Sequence, residues 1–347
     1  MRYIPAKFLL TSLCFSLFLT ACSSEDEQAK APAATATATA TADQTAASTP
    51  AVEANKVQTR FVTIATGGAS GPYNIIATTL GEIYNKTYGV NSKTQTTGAS
   101  VENINLMNQN KVEMAFVMSD VLSDALAGTN SFKNKIENVQ QMAALYPNYV
   151  QVVTSKRSGI KTLEDLRGKR VAVGAQNSGV EVNARNILNG HGITYKDIKV
   201  DYLGYAEAAD ALKGGKLDAA FLTSGLPNAS LMELEQGFDL QLVSILPENI
   251  AEIAKDQSYF IALEIPVNTY GNTEAIPTAA IMNALVIRSD LSEDDGYKLT
   301  KTFFESLDNL RNSHQAMKDV SLEQAQNGLV APLHPGAQKY YAEQASK

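Results

Sequence analysis

Cysteine, histidine and tryptophan are scarce in this sequence. Its 347 residues include two cysteines, three histidines and no tryptophan. Cys14 lies in a segment that we expect to be removed, so the mature chain would keep only Cys22 and form no disulfide. His191, His314 and His334 lack the spacing of a zinc site, and no Ser, His and Asp are spaced as a catalytic set. We therefore expect neither a metal, nor a cofactor, nor an enzymatic activity.

The sequence also lacks an excess of basic residues. Its formal net charge is −7, which argues against a nucleic-acid partner because such a protein needs a basic face. There is no P-loop with its Lys-Ser or Lys-Thr ending, so a nucleotide site of that kind is not indicated. The length and the hydrophobic share of 44% are those of a globular protein of about two domains. We expect it to be a monomer.

Residues 1–22 have the pattern of an export signal. Arg2 and Lys7 precede the apolar run Phe8 to Leu19, which is too short to span a bilayer permanently. The run ends in Leu-Thr-Ala-Cys, which resembles the lipobox of bacterial lipoproteins, with Cys22 as the lipidated first residue of the mature chain. The alternative is an ordinary signal peptide cleaved nearby. We expect a lipid-anchored protein of the cell envelope that faces the periplasm or the cell exterior.

Residues 23–57 predict a disordered tether. Ala, Thr, Ser, Pro and acidic residues dominate this segment, which shows no apolar periodicity. A flexible chain of this length spans roughly 30 Å root-mean-square. It would hold a folded body near a membrane partner.

The stretch from Ile64 to Tyr73 predicts a strand, a glycine-rich turn and a helix. Glycines leave the backbone of this turn open to close contact with a ligand. Ser70 stands at the expected N-cap, and Pro72 suits the first helical turn. A helix N-terminus attracts anions, so we expect an anion-binding loop. The alternative is a plain strand-to-helix turn.

Two further strands of this first half of the body end in small polar residues. Their carboxyl ends should lie at one edge of a parallel sheet, where ligands of α/β proteins bind. Ser100 is the expected N-cap of the following helix, with Asn103 near the same helix mouth. Asp120 can cap its own helix or meet a ligand ammonium group. The candidate ligand-binding residues here are Gly67, Ser70, Tyr73, Thr97, Gly98, Ser100, Asn103, Ser119 and Asp120.

The second half repeats this arrangement. Ser178 and Glu181 have capping-box spacing at the start of a helix. The candidate ligand-binding residues here are Ser178, Gly179 and Ser224, and also Tyr146, for which the alternative is a packed hinge aromatic. The strand from Ala279 to Arg288 would return to the first lobe, followed by helices over about 294–310 and 315–328. We therefore predict two α/β lobes, the first from residues 58–150 and 288–347 and the second from residues 151–287.

A series of motifs runs from about Thr63 to the end of the chain. In order, they are ATGGASGPY, TTGASVENI, SDV, ALYPNYVQVV, SGIKTLEDLRGKRVAVG, NSGVEVNARNIL, KLDAAFLTSGLPN, IPVNTY and PLHPGAQKYYAE. The series resembles the solute receptors of the TAXI class of TRAP transporters. One departure is Asn74, which stands where that class usually has a second aromatic residue after the tyrosine.

The resemblance implies a fold and a function. The fold is the type II periplasmic-binding-protein fold, in which two α/β lobes joined by two hinge strands close on a ligand. The function is delivery of a small carboxylate, such as glutamate, glutamine or 2-oxoglutarate, to a TRAP membrane subunit driven by an ion gradient. Two alternatives remain open: a surface lipoprotein that uses the same cleft for sensing or adhesion, and an enzyme on the same fold.

Overall fold

The computed structural model describes residues 56–346. The predicted export signal, the lipidation site at Cys22 and the predicted tether up to residue 55 lie outside the described residues. Within residues 56–346, no helix combines the length and the apolar character that crossing a bilayer requires.

The first part of the body alternates strands and helices, as predicted. The elements are β1 (Phe61–Ala65), α1 (Pro72–Tyr88), β2 (Asn91–Gln95), α2 (Ser100–Asn108), β3 (Met114–Met118) and α3 (Ser119–Ala127). β3 is buried along its whole length. α1 begins at Pro72, where a missing N–H is tolerated, and ends before Gly89, which takes the left-handed conformation with φ 64°.

The middle of the chain begins with a strand longer than predicted. The elements are β4 (Val139–Ser155), β5 (Arg170–Ala172), α4 (Gly179–Gly190), β6 (Lys199–Asp201), α5 (Tyr205–Lys213), β7 (Ala219–Ser224), α6 (Ala229–Glu235), β8 (Leu240–Val243), α7 (Pro247–Ala254) and β9 (Ile261–Ile265), with 3-10 turns at Lys156–Ser158 and Glu164–Leu166. The sequence predicts the start of β4 at Val150, but the strand begins at Val139 because its first half also pairs within the sheet.

The C-terminal part departs further from the prediction. Its elements are β10 (Ile276–Arg288), α8 (Glu293–Glu305), α9 (Leu307–Ser313) and α10 (Pro335–Ala345), with 3-10 turns at Gln315–Met317 and Gln324–Gln326. The predicted helix over 315–328 is wrong: the segment breaks after each short turn and reaches Gly328 with φ 73°. α10 is absent from the prediction. His334 caps it by accepting a hydrogen bond from the Gly336 N–H.

The ten strands form one mixed sheet. Its order is β2-β1-β3-β10-β4-β7-β5-β6, with β8 beside β4 and β9 beside β10. β1 is parallel to β2 and β3, and β5 is parallel to β6 and β7. β4 and β10 are antiparallel to each other and to their other neighbours. Each side of the sheet is thus a parallel α/β unit, and the two central strands join them.

β4 and β10 pass between two lobes. Residues 283–287 of β10 pair with β3, whereas residues 276–280 pair with β9. β4 pairs with β10 up to Tyr149 and with β7 from Tyr149 to Thr154. We call β1–β3, α1–α3 and α8–α10 the first lobe, and β5–β9 with α4–α7 the second lobe. The division of the chain at residues 150 and 287 stays a prediction.

The buried apolar side chains of the described residues form three clusters. One covers a single face of the sheet and includes residues of both lobes, such as Ile104 and Ile187. A second fills the first lobe between α1 and the C-terminal helices, around Tyr84 and Phe303. A third lies within the second lobe. Each lobe thus has an apolar cluster of its own, and a further cluster is shared by both lobes.

The start of the body is attached to α8. Asp295 is 2% exposed, and its two carboxylate oxygens accept hydrogen bonds from the N–H groups of Gln58 (2.6 Å) and Thr59 (2.9 Å). Lys298 Nζ donates to the Lys56 carbonyl at 2.7 Å. These contacts fix the chain in the first lobe where the predicted tether ends.

We predict that Asp295→Asn lowers the free energy of unfolding by about 1 to 3 kcal/mol, because an amide has one acceptor oxygen and loses one of the two charge-assisted hydrogen bonds. Denaturant unfolding measures this change. Asp294→Asn is the control, since Asp294 is half exposed and pairs only with Lys298, and it should change the free energy by less than about 1 kcal/mol. Equal effects of the two substitutions would contradict the role of Asp295.

Candidate ligand-binding cleft

A cavity of about 360 Å³ lies between the lobes, at the carboxyl ends of the strands. It is formed by loops from both lobes and by the crossing strand β4. The lining residues are Gly67, Gly68, Ala69, Gly71, Pro72, Tyr73, Thr96, Thr97, Gly98, Ala99, Met118, Asn148, Ala175, Ser178, Val180, Gly204, Tyr205, Glu207 and Ser224. Of the predicted site residues, the structure brings together Gly67, Tyr73, Thr97, Gly98, Ser178 and Ser224.

The glycine loop between β1 and α1 presents unpaired donors. The N–H groups of Gly67, Gly68 and Ala69 have no acceptor among the described residues, and all three residues line the cavity. Gly71, not the predicted Ser70, is the N-cap of α1, and no side chain caps this helix. The helix N-terminus therefore keeps donors for a ligand at the cavity wall.

The backbone N–H groups just before α2, in contrast, have hydrogen-bond acceptors on nearby side chains. Glu102 Oε2 accepts a hydrogen bond from the Gly98 N–H at 2.6 Å, and Thr97 Oγ1 accepts one from the Ala99 N–H at 2.9 Å. The Thr97 hydroxyl lies 2.6 Å from Asn103 Oδ1, to which it donates. Thr97 and Gly98 thus contact the cavity, but their polar groups have partners within the lobe.

Asn103 holds the first lobe together beneath the cavity. It is fully buried, and its Nδ2 donates to the carbonyls of Thr66 (2.6 Å) and Phe116 (2.8 Å). These carbonyls belong to the ends of β1 and β3. Asn103 is therefore a structural residue of the cavity wall rather than part of its lining.

Three side chains from three elements are hydrogen-bonded together at the cavity, which Tyr73 and Asn148 line. Asn148 Nδ2, from β4, donates to Asn283 Oδ1 on β10 at 2.8 Å and lies 3.2 Å from the Tyr73 hydroxyl. The Tyr73 hydroxyl donates to the same Asn283 oxygen. Burial, followed by the charges of neighbouring tyrosines, raises the pKa of Tyr73 well above its usual range, so this hydroxyl keeps its proton. The three hydrogen bonds tie α1 to both crossing strands.

Asn148 also offers an acceptor. The residue is 2% exposed and lines the cavity, and its Oδ1 has no hydrogen-bond partner in the described structure. A buried carbonyl oxygen without a donor is unfavourable unless a ligand or water supplies one. The sequence analysis missed Asn148 because a polar residue within an apolar strand carries no local signal of its direction.

The second lobe contributes two hydroxyls with unused protons. Ser178 is the N-cap of α4, as predicted, and its Oγ accepts from the Glu181 N–H at 3.0 Å. Ser224 Oγ accepts from Gln151 Nε2 at 2.9 Å and from Asn228 Nδ2 at 3.1 Å. Because both oxygens are already acceptors, each hydroxyl proton remains available to a group in the cavity that the residue lines.

Tyr205 and Glu207, at the start of α5, complete the second-lobe wall. The Tyr205 hydroxyl donates to the Thr223 carbonyl at 2.6 Å, and its ring faces Gly71 of the first lobe so closely that a Cβ there would lie 3.1 Å from it. Glu207 is exposed at the rim and is the one aspartate or glutamate in the lining. No lysine, arginine or histidine lines the cavity. The sequence analysis missed both residues.

The other predicted site residues lie outside the lining. Ser100 is the first residue of α2 rather than its N-cap, which is Ala99, because its Oγ instead accepts from the Met118 N–H at 3.1 Å. Tyr146 is buried beside Gly225, and its hydroxyl has no partner in the described part of the chain. Ser119 is buried at the start of α3. For these residues a ligand role stays a prediction.

The remaining three candidates, Ser70, Asp120 and Gly179, lie where the lobes touch. Ser70 Oγ accepts from Ser230 Oγ of the second lobe at 3.0 Å. Asp120 Oδ2 accepts from Asn183 Nδ2 of the second lobe at 2.6 Å. A Cβ on Gly179 would lie 2.8 Å from the sulfur of Met118. The lobes are therefore in direct contact around the cavity, which is a closed arrangement.

The model of the NMT1-like family matches residues 64–345, which is most of the chain. The chain belongs to the NMT1-like family. The narrower TAXI assignment is not confirmed by this match.

Solved structures show the same fold. A protein of Bordetella bronchiseptica RB50 is 17% identical, with 83% of each chain covered and a TM-score of 0.51. A structure named a periplasmic transporter is 14% identical over 83% of this chain and 94% of that one, with a TM-score of 0.51. The aliphatic sulphonate binding protein SsuA of Escherichia coli is 13% identical over 82% and 84%, with a TM-score of 0.45. At these identities the likeness concerns the fold, and the expected type II periplasmic-binding-protein fold is confirmed.

We predict that Asn103→Ala lowers the free energy of unfolding by about 2 to 4 kcal/mol, because it removes three hydrogen bonds of a fully buried side chain, two donated to carbonyls and one accepted from the Thr97 hydroxyl. Denaturant unfolding without ligand measures the loss. Asn105→Ala is the matched control: Asn105 is a half-buried residue of the same helix, and this change should shift the free energy by less than about 1 kcal/mol. A stable Asn103→Ala protein would contradict the structural role.

Proposed function

We propose that this chain is an extracytoplasmic solute receptor that captures a small carboxylate by closure of its two lobes and delivers it to a membrane transporter. The observation that carries the proposal is the cavity between the lobes, which is lined from both sides by residues whose donors have no protein acceptor. From the first lobe these are the N–H groups of Gly67, Gly68 and Ala69. From the second lobe they are the hydroxyls of Ser178 and Ser224.

These donors suit a carboxylate better than a cation. A carboxylate accepts several hydrogen bonds, and each charge-assisted bond contributes about 1.5 to 3 kcal/mol net. Four or five such bonds, after the losses of immobilisation and closure, support micromolar binding or better. Because the donors come from both lobes, a ligand that uses all of them binds the closed state more tightly than the open state. Ligand would therefore favour closure.

The hydrogen-bond acceptors of the cavity narrow the range of suitable ligands further. Asn148 Oδ1 has no donor, and Glu207 places a carboxylate at the rim. Both favour a ligand that carries N–H groups as well as a carboxylate. Among the solutes implied by the sequence, glutamine and glutamate fit this pattern better than 2-oxoglutarate, which has no N–H group.

The transporter and the anchor are proposed on the sequence. The motif series that resembles the TAXI class supports a TRAP-type membrane subunit, and the Leu-Thr-Ala-Cys run supports acylation at Cys22. The resulting protein would be bound to a membrane of the cell envelope and would work outside the cytoplasm. A single acylated residue with several acyl chains would give stable anchoring.

Thermal denaturation of the full chain in detergent, with L-glutamine, L-glutamate or 2-oxoglutarate at millimolar concentration, tests the proposal. A ligand of micromolar affinity should add about 4 kcal/mol of stability and raise the midpoint by several degrees, with L-glutamine or L-glutamate above 2-oxoglutarate. Loss of uptake of the same solute after gene deletion would support the transport role. Binding with unchanged uptake would instead favour sensing or adhesion, and no stabilisation by any of the three would contradict the proposed ligand class.

We predict that Ser178→Ala weakens binding of the solute that stabilises the wild type by about tenfold, because one hydroxyl donor is lost. It should also lower the free energy of unfolding by about 1 kcal/mol through the lost N-cap. Ser292→Ala is the control, since Ser292 caps α8 in the same way, by accepting from the Asp295 N–H. It should show the stability loss without the affinity loss when both are measured by calorimetry. Equal affinities of the two variants would contradict the ligand role of Ser178.

A further inference from the structure

A buried acidic group joins the two lobes outside the cavity. Asp120 of α3 and Asn183 of α4 are both 0% exposed, and Asn183 Nδ2 donates to Asp120 Oδ2 at 2.6 Å. α3 belongs to the first lobe and α4 to the second. The pair is thus assembled only when the lobes are in contact, and separation of the lobes would bring water to the carboxyl group.

Each side chain of this pair has one oxygen without a partner. Asp120 Oδ1 and Asn183 Oδ1 are both buried and accept no hydrogen bond in the described structure. An ionised carboxylate has no proton to donate, so it leaves both oxygens unpaired. A neutral carboxylic acid can donate its proton while its other oxygen still accepts from the amide. A carboxylic acid and a carboxamide can then pair through two hydrogen bonds instead of one.

We propose that Asp120 and Asn183 form a proton-binding site between the lobes, so that closure of the cleft takes up one proton. In the closed state the proton resides on Asp120 Oδ1 and is donated to Asn183 Oδ1. In the open state water hydrates the carboxyl group, which releases the proton to solvent. The proposal concerns regulation of the same cleft, and its coupling to solute capture rests on the proposed function.

The surroundings of Asp120 favour the neutral acid. Burial raises the pKa of Asp120 to about 7, and the charge of Asp124, one turn along α3, acts in the same direction. Backbone N–H groups and the Asn183 amide oppose this shift without cancelling it. The other titratable groups that face Asp120 are Tyr73 of α1 and Tyr259 of the segment before β9, whose pKa values are both raised. Both tyrosines are neutral across the physiological range.

Arg185, which lies on the same helix as Asn183, acts on a different carboxylate. Arg185 of α4 forms hydrogen bonds with Glu181 and senses the charge of Asp124. Arg185 pairs with Glu181, and Asp120 takes part in no salt bridge of the described residues. The ionised form of Asp120 therefore has an amide partner but no paired cation, and its desolvation opposes closure.

The sign of the pH dependence follows from the two states. In the open state Asp120 should have the ordinary carboxyl pKa of about 3.9, whereas in the closed state it is raised to about 7. Closure raises the pKa of this group, so below its open-state pKa the group stabilises the closed state. This stabilisation is lost as the pH rises through the closed-state pKa. Ligand affinity should therefore fall by ~30-fold between pH 5.5 and pH 8.

Infrared difference spectroscopy of the full chain in detergent, between pH 5.5 and pH 8 and with and without L-glutamine, tests the site directly. We expect a band of a protonated, buried carboxyl group at pH 5.5 that disappears towards pH 8 and is missing in Asp120→Asn. Labelling aspartate carboxyl groups with ¹³C should shift the band, which assigns it to aspartate even if the variant fails to fold. Asp124→Asn is the control on the same helix and should keep the band. Absence of the band from the wild type under all conditions would overturn the proposal.

Calorimetry with L-glutamine at pH 6.5, in buffers of different ionisation enthalpy, tests the coupling. We expect uptake of ~0.8 proton per bound L-glutamine in the wild type, a smaller uptake in Asp124→Asn because the Asp124 charge helps to keep Asp120 protonated, and none in Asp120→Asn. Binding of L-glutamine without proton uptake would overturn the coupling while leaving the proposed solute class intact. A titrating carboxyl band in a protein that does not bind L-glutamine would support the proton site and contradict the proposed solute instead.

Discussion

The hydrogen bonds among Tyr73, Asn148 and Asn283 connect the parts of this protein on which the cleft depends. They join α1 of the first lobe to both strands that pass between the lobes. Tyr73 and Asn148 also line the cavity, so the N-terminal end of α1 is held at a fixed position relative to the crossing strands. Solvent is largely excluded there, and each hydrogen bond is stronger than it would be in water. Asn148 keeps one oxygen for a ligand as a consequence of this geometry.

The two sides of the cleft bind by different means. The first lobe offers backbone N–H groups of a glycine-rich loop. Its side chain Asn103 instead links β3 to the residue that follows β1 by donating hydrogen bonds to their carbonyls. The second lobe offers hydroxyls of Ser178 and Ser224, which are positioned by hydrogen bonds that they accept. Neither set alone surrounds a ligand. On the proposed function, closure completes the binding site, and contacts such as Asp120 with Asn183 influence affinity without touching the solute.

Much of this arrangement was predictable from local sequence patterns. The structure has the predicted glycine loop, the predicted helix cap at Ser178 and the predicted ends of β1 and β3. All of these features depend on residues near one another in the chain. The helix starts at Ser70 and Ser100 were each misplaced by one residue. Pro72 makes Gly71 the N-cap of α1, and Ala99, with φ 87°, stays outside α2. The first effect is local, because proline suits the first helical position, whereas the second involves the hydrogen bond from the Met118 N–H to Ser100 Oγ.

The residues that sequence reasoning missed or misjudged depend on contacts between distant segments. Asn148 lies in an apolar strand, and only the pairing of β4 with β10 directs it towards the cavity. Asp120 was predicted as a helix cap or an ammonium ligand, but packing of α3 against α4 gives it an amide partner from the other lobe. No spacing within the chain reports such a pair.

Hydrogen–deuterium exchange of the full chain, with and without L-glutamine, tests the central claim most directly. The claim is that the unpaired N–H groups of residues 67–69 bind the carboxylate of the solute. The account predicts rapid exchange of these amides without ligand and strong protection on binding, while exchange at the distant helix α10 stays unchanged. Tight binding of L-glutamine without protection of residues 67–69 would contradict it.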